Sequence, residues 1–321
     1  MNPLNPSTAS PGGSGGSSTN GESSTDGGSG ANGSGANGSR QRRQEPFGAR
    51  LRTAIDARGP LCVGIDPHAA LLADWGLGDD IAGLERFTRT VVEALADRVA
   101  VLKPQSAFFE RFGSRGIAVL ERAVAESRDA GALIVMDAKR GDIGSTMAAY
   151  ADAYLDPSSP LFSDALTVSP YLGFGSLRPA VDRARAAGCG LFVLALTSNP
   201  EGAEVQHAVR EDGRSVASGI LADLARENAD ETPLGSFGAV VGATLGTSGS
   251  GGVDLAVNGP LLAPGIGAQG ATADDLPRVF GPAVANVLPS ISRGVLRHGP
   301  SAVVLREAAV REASLLAQAL A

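Results

Sequence analysis

Eight short apolar runs recur after residue 59, and most of them do not alternate apolar with polar residues. They cover residues 60–65, 100–102, 132–136, 165–168, 191–196, 239–242, 260–263 and 284–288. Strands that are apolar on both faces belong to parallel sheets covered by helices. The segments between them carry helical spacing, as in Leu84, Phe87, Val91 and Leu95, or Leu120 and Val124. Further helices are predicted over 147–154, 177–187 with Gly188 as the C-terminal cap, 216–228 and 306–320. Eight such units in about 275 residues predict an α/β fold of the closed (β/α)8, or TIM-barrel, type. A doubly wound open sheet is the competing architecture. Residues 243–259 are rich in Gly and Ser, and a loop is predicted where a sixth helix would lie.

The barrel pattern leaves the N-terminus unused. Residues 1–39 contain 11 Gly and 10 Ser, too little apolar surface to offset the chain entropy of folding. The prediction is a disordered Gly/Ser-rich tail over 1–44 and one barrel domain over 45–321. Folding is expected to begin near Pro46, where Phe47, Leu51 and Ile55 take up helical spacing. The net charge of −7 gives no support to a general nucleic-acid or anionic-membrane binder. Two cysteines, Cys62 and Cys189, exclude a disulfide scaffold and a four-thiolate metal site within one chain. No apolar stretch reaches the length of a membrane helix, and no signal sequence opens the chain, so a cytoplasmic setting is expected.

Polar residues follow the apolar runs directly: Asp66, Lys103, Asp137, Ser198, Gln269 and Arg293. Any one of them alone reads as a turn residue or helix cap. As a set they predict a polar cup on the C-terminal rim of the barrel, where such folds carry their active sites. The densest stretch is Met136-Asp137-Ala138-Lys139-Arg140-Gly141-Asp142-Ile143. Strand alternation puts Asp137 and Lys139 on one side, and Lys103 reaches the same space from the preceding strand. Asp142, past the strand, reads alternatively as a helix N-cap. Two lysines and two aspartates can form an alternating network in which each ammonium is held charged by carboxylates.

A second motif, Gly265-Ile266-Gly267-Ala268-Gln269-Gly270, matches the dinucleotide fingerprint Gly-x-Gly-x-x-Gly. That reading fails because the motif follows the seventh run, and no Asp or Glu occurs between Gly281 and Pro300. A phosphate cradle of backbone N–H groups fits better, with Arg293 as a bidentate clamp. His68, His207 and His298 show no ligand spacing, so no metal is expected.

With these residues assembled, the chain from about residue 45 resembles the orotidine 5′-phosphate decarboxylases, in their longer bacterial branch. The resemblance rests on Val63-Gly64-Ile65-Asp66-Pro67, Lys103 to Glu110, Asp137 to Ile143, Thr167 to Gly173, and the Gln269 and Arg293 loops. It implies conversion of orotidine 5′-phosphate to uridine 5′-phosphate and CO2 in pyrimidine synthesis, with no metal and no organic cofactor. It implies a homodimer whose sites are completed by the neighbouring subunit. By motif match Lys139 is the proton donor, Asp137 sits beside the departing carboxylate, and Lys103 and Asp142 complete the network, Asp142 from the other chain. Thr146 matches the residue reaching the neighbour's ribose. Asp66 matches a ribose-hydroxyl ligand and Ser198 the reader of the pyrimidine amide. Gln269 and Arg293 match phosphate ligands, with Gly270 in the same loop. Against the shorter members, Ser292 stands before Arg293 where Gly is common, and Pro104-Gln105 follows Lys103. Rival readings are a metal-dependent phosphosugar lyase of the same suprafamily and a non-catalytic nucleotide-binding barrel.

Overall fold

A computed structural model describes residues 45–245, 252–267 and 270–320. The predicted tail at 1–44, part of the predicted loop at 246–251, and Gln269 lie outside the described residues. Eight parallel strands close into a barrel in sequence order. They are β1 (Cys62–Ile65), β2 (Val101–Pro104), β3 (Leu133–Arg140), β4 (Ala165–Val168), β5 (Gly190–Leu196), β6 (Phe237–Val241), β7 (Leu261–Pro264) and β8 (Val287–Ile291). β8 pairs with both β7 and β1, which closes the ring and removes the open-sheet alternative.

Side-chain parity divides the core in two. Cys62, Val101, Val135, Ala165, Phe192, Val240, Leu262 and Leu288 form one apolar cluster, one residue from each strand. Their immediate neighbours Val63, Leu102, Ile134, Met136, Leu166, Leu191 and Val193 belong to the larger cluster shared with the helices. Successive strand residues face opposite sides, so the first set fills the barrel and the second faces the helices. This is why the runs read as continuously apolar. Two residues beyond the eight inward apolar residues come Gly64, Lys103, Asp137, Thr167, Leu194, Gly242, Pro264 and Ser290. The polar mouth is therefore the next inward layer above the apolar floor.

Helix Phe47–Arg58 packs against the floor layer. Phe47 meets the Phe192 ring edge-on at 6.0 Å between centroids. Gly48 is required at its position, since a Cβ there would lie 2.1 Å from the Leu234 carbonyl oxygen. Arg50 ties the same helix to the barrel through buried Asp164, which also accepts from the backbone N–H of Ile134 at 2.9 Å. Outer helices start at local signals. Asp80 caps Ile81–Leu95 by accepting from the Gly83 N–H at 2.8 Å, and Ser215 caps Val216–Glu227. Gly188 ends Arg178–Ala187 in the left-handed conformation, as its sequence position predicts.

Several boundaries differ from expectation, three of them for reasons visible in the structure. The eighth strand begins at Val287, because Gly281–Asn286 forms a 3-10 turn and the pairing Leu261↔Val287 sets the register. The last helix is Ala302–Ala319, capped by Ser301; its first turn exposes Val303 and Val304, which hides it from an apolar-periodicity reading. β3 runs on to Arg140, well past the predicted end. Residues 252–258 carry no helix or strand, as predicted for that part of the loop.

Candidate active site

The mouth holds a cavity of about 430 Å³ lined by Asp66, His68, Lys103, Gln105, Asp137, Lys139, Thr167, Thr197, Asn199, Gly265, Ser290, Ser292 and Arg293 among others. A volume of this order suits a ligand the size of a nucleotide.

Asp137 is the hub. Lys103 Nζ donates to its Oδ2 at 2.7 Å. Lys139 Nζ donates to Oδ1 at 2.5 Å, and Thr167 Oγ1 donates to the same oxygen at 2.9 Å. Burial alone would raise the Asp137 pKa, but Lys103 and then Lys139 override it and hold the carboxyl well below its usual range. Burial would likewise lower the Lys103 pKa, but Asp137 and then Asp66 hold the ammonium above the usual lysine range. Both groups are charged at neutral pH. The Lys103 side chain is 6% exposed and that of Lys139 45%, so Lys103 is a buried anchor and Lys139 is the ammonium presented to the cavity. Beneath them the Cys62 thiol is pushed up to about 12 by burial and stays protonated. It is no nucleophile at neutral pH.

Strand alternation is not what brings Lys139 to Asp137. Met136 pairs with Leu166 and Arg140 with Val168, so three residues of β3 face one of β4. Within this bulge Lys139 adopts φ 49°, the left-handed region, and its N–H donates to Thr167 Oγ1 at 2.9 Å. Such bulges re-aim side chains beside functional sites.

Asp66 lines the cavity, and its Oδ1 is buried with no hydrogen-bond partner among the described residues. Arg293 opens the short helix Arg293–Leu296 at the rim, with no ion-pair partner for its guanidinium among the described residues. Gly265, Gly267 and Gly270 all have positive φ, which the Gly-rich turn requires. Gly265 reaches the cavity; Gly270 is on the same turn but outside the lining. Ser198 is exposed beside Gly242 and does not line the cavity, whereas its neighbours Thr197 and Asn199 do. Asp142 and Thr146 also stand outside it. Asp142 Oδ1 accepts from the Ile143 N–H at 2.8 Å, and Thr146 is exposed on helix Gly144–Leu155. Among the described residues no three His, Cys, Asp or Glu side chains converge as a metal-ligand set, and no helix is long and apolar enough to cross a membrane.

Sequence reasoning missed Thr167, Gln105, Thr197 and Asn199 as site residues. Thr167 was readable by parity, two residues after Ala165 on a strand whose inward layer turns polar there. Gln105 Nε2 donates to the Asp137 carbonyl at 3.2 Å, a contact across 32 residues that leaves no local signal.

A closed parallel barrel with an ammonium–carboxylate–ammonium array in its C-terminal mouth defines a lysine-centred barrel enzyme. Residues 59–308 match the profile of the Orotidine 5′-phosphate decarboxylase / HUMPS family, and the chain belongs to that family. It is 77% identical over 267 residues to the orotidine 5′-phosphate decarboxylase of Streptomyces coelicolor, covering 83% of this chain and 95% of that protein. Its counterpart in Nocardioides sp. is 69% identical over 256 residues, covering 78% and 92%. A crystal structure from Streptomyces avermitilis, described as an orotidine 5′-phosphate decarboxylase, superposes with a TM-score of 0.84 at 74% identity, covering 86% of this chain and 96% of that one.

Proposed function

We infer that this chain is a carboxy-lyase that converts orotidine 5′-phosphate to uridine 5′-phosphate and CO2, the last step of de novo uridine 5′-phosphate synthesis, without metal or organic cofactor. The observation that carries this reading is Lys139. Its partly exposed ammonium enters the cavity from a strained backbone position, beside a carboxylate held ionised by a second, buried lysine.

The chemistry needs this arrangement. When the C6–carboxylate bond breaks, its electron pair stays on C6 and CO2 departs. An ammonium preorganised at that carbon stabilises the developing charge. Lys139 Nζ then gives its proton to C6, yielding uridine 5′-phosphate and a neutral amine. Asp137 holds the Lys139 ammonium in an ion pair before the step and faces the substrate carboxylate. Lys103 holds Asp137 ionised and in place.

Binding groups surround this centre. The unpartnered Oδ1 of Asp66 suits a ribose hydroxyl, which would supply the donor it lacks. Arg293 and the Gly265–Gly270 turn, with Gln269, take the phosphate. Ser198, on the turn with Thr197 and Asn199, reads the pyrimidine amide. Asp142 and Thr146 lie outside this chain's own cavity, which fits their service in the site of a second copy. The working unit is then a homodimer, and its setting cytoplasmic.

The test is loss of the long-wavelength absorbance of orotidine 5′-phosphate with purified protein in EDTA. Turnover that persists in EDTA and disappears in Lys139→Ala supports the reading. A folded protein inactive in EDTA but active with magnesium on a sugar phosphate overturns it.

A further inference from the structure

Arg140 follows Lys139 in the chain, and nothing in the reaction just described employs it. Its guanidinium leaves the mouth. Nη2 pairs with Glu110 Oε1 and donates to Tyr154 Oη at 3.2 Å, and Nη1 donates to the Ala138 carbonyl at 3.3 Å. Glu110 Oε1 also accepts from Ser106 Oγ. The Ser106 backbone N–H in turn donates to the Asp137 carbonyl at 3.2 Å. The contacts form a closed loop: Asp137 carbonyl, Ser106, Glu110, Arg140, and back along β3 through Lys139.

This loop pins the chain on both sides of Lys139. Upstream, the Asp137 carbonyl is held by Ser106 and Gln105. Downstream, the Arg140 side chain is held by Glu110, and its carbonyl accepts from the Ser169 N–H at 2.8 Å. Between these points Lys139 has φ 49°. A left-handed non-glycine residue costs about 1–2 kcal/mol and persists only where its surroundings over-determine it. Released at Arg140, the segment can relax toward extended backbone, which would swing the Lys139 ammonium away from Asp137.

We propose that Arg140, clamped by Glu110, is a positioning residue that holds the catalytic lysine in its left-handed, inward-aimed conformation. This rests on the reading of Lys139 as proton donor. The Arg140 side chain is 27% exposed and that of Glu110 36%, so the pair contributes little to global stability. Its effect is geometric, and a misplacement of about 1 Å can cost on the order of 100-fold in rate. The two consequences separate in experiment.

Steady-state decarboxylation is measured for Arg140→Met, Arg140→Lys, Glu110→Gln and Arg140→Met/Glu110→Gln, at equal folded fraction by circular dichroism, with Lys139→Ala alongside. Arg140→Met is expected to lower kcat by about 30- to 100-fold with KM held within about threefold. Glu110→Gln should fall between it and wild type, and Arg140→Lys should recover part of the loss. The double variant should be no slower than Arg140→Met, because both changes break one clamp. Arg140→Met kcat within about twofold of wild type, or losses that multiply in the double variant, overturns the proposal. If Arg140→Met does not fold, Glu110→Gln and Arg140→Lys carry the same comparison. A normal Arg140→Met beside an inactive Lys139→Ala refutes the positioning role alone. An active Lys139→Ala refutes the proton-donor reading and this proposal with it.

Discussion

Replacing Asp137 by Asn should destabilise the fold far more than removing the lysine it presents to the cavity. Lys103 is 5% exposed and depends on Asp137 Oδ2 at 2.7 Å. Breaking a buried ion pair by removing one partner costs about 3–5 kcal/mol, because the remaining charge stays desolvated. Lys139, with its side chain 45% exposed, behaves more nearly as a surface partner, and Lys139→Ala should cost about 1 kcal/mol or less. At roughly 2 °C per kcal/mol for a domain of this size, Asp137→Asn should lower Tm by about 6–10 °C and Lys139→Ala by about 2 °C or less. Urea unfolding followed by fluorescence reads the same difference, since Trp75 is the sole tryptophan and is buried with its indole N–H on the Leu296 carbonyl. The double variant Lys103→Met/Asp137→Asn removes both buried charges. It should be more stable than the sum of the single losses by about 2 kcal/mol. A pH series adds a sign. In the Asn variant Lys103 has lost the first of the charges that hold its pKa up, so the native state comes to favour the neutral amine while the unfolded chain keeps it protonated. The unfolded state then binds more protons, and the deficit should shrink as pH rises toward about 10. Equal losses in Asp137→Asn and Lys139→Ala, or strict additivity in the double variant, would refute the buried-anchor argument.

Other outcomes follow from the same geometry. In wild type, the Asp137 contribution is complete above the usual aspartate range and lost as pH falls through its depressed folded value. That of Lys103 is complete below the usual lysine value and lost as pH rises through its raised one. Thermal melts should therefore show this pair's contribution flat between about pH 5 and 9, and a contribution fading between pH 6 and 8 would contradict it. Arg293→Ala should raise KM by about 10- to 100-fold for the phosphorylated substrate and leave a substrate lacking phosphate unaffected; equal loss for both would move Arg293 to another role. Mixing inactive Asp142→Asn and Lys139→Ala subunits should restore turnover if one hybrid site draws both intact residues, and no recovery after verified subunit exchange would count against a shared site. Gly48→Ala should cost about 1–3 kcal/mol in urea unfolding with kcat unchanged per folded molecule, because its Cβ would meet the Leu234 carbonyl far from the mouth.

The barrel was legible because its strands face two apolar environments, so each run is apolar throughout and the polar residue ending it stands out. Lys103, Asp137 and the Arg293 rim were found that way. Boundaries that depend on a distant partner were not. β8 starts where β7 and β1 place it, and neither leaves a mark within residues 284–288. Position alone marked Ser198 on the turn after β5, but not its neighbours Thr197 and Asn199, which line the cavity in the folded chain.

The same limit explains why the pairing of Asp137 and Lys139 was predicted for an incomplete reason. Strict alternation along β3 would bring them to one face with no further support. The chain instead bulges there, and the spacing of the motif reflects the bulge as much as the pleat. An ideal strand would have left Lys139 in ordinary extended backbone. Holding it at φ 49° needs Thr167 from β4, Ser106 and Gln105 from the turn after β2, and Glu110 from the following helix. These contacts span 28 to 32 residues and involve residue types that are ordinary in turns and helix starts. A local pattern can announce that a lysine stands at a barrel mouth. What aims it is tertiary, and a rate assay on residues that never touch the substrate can reveal it.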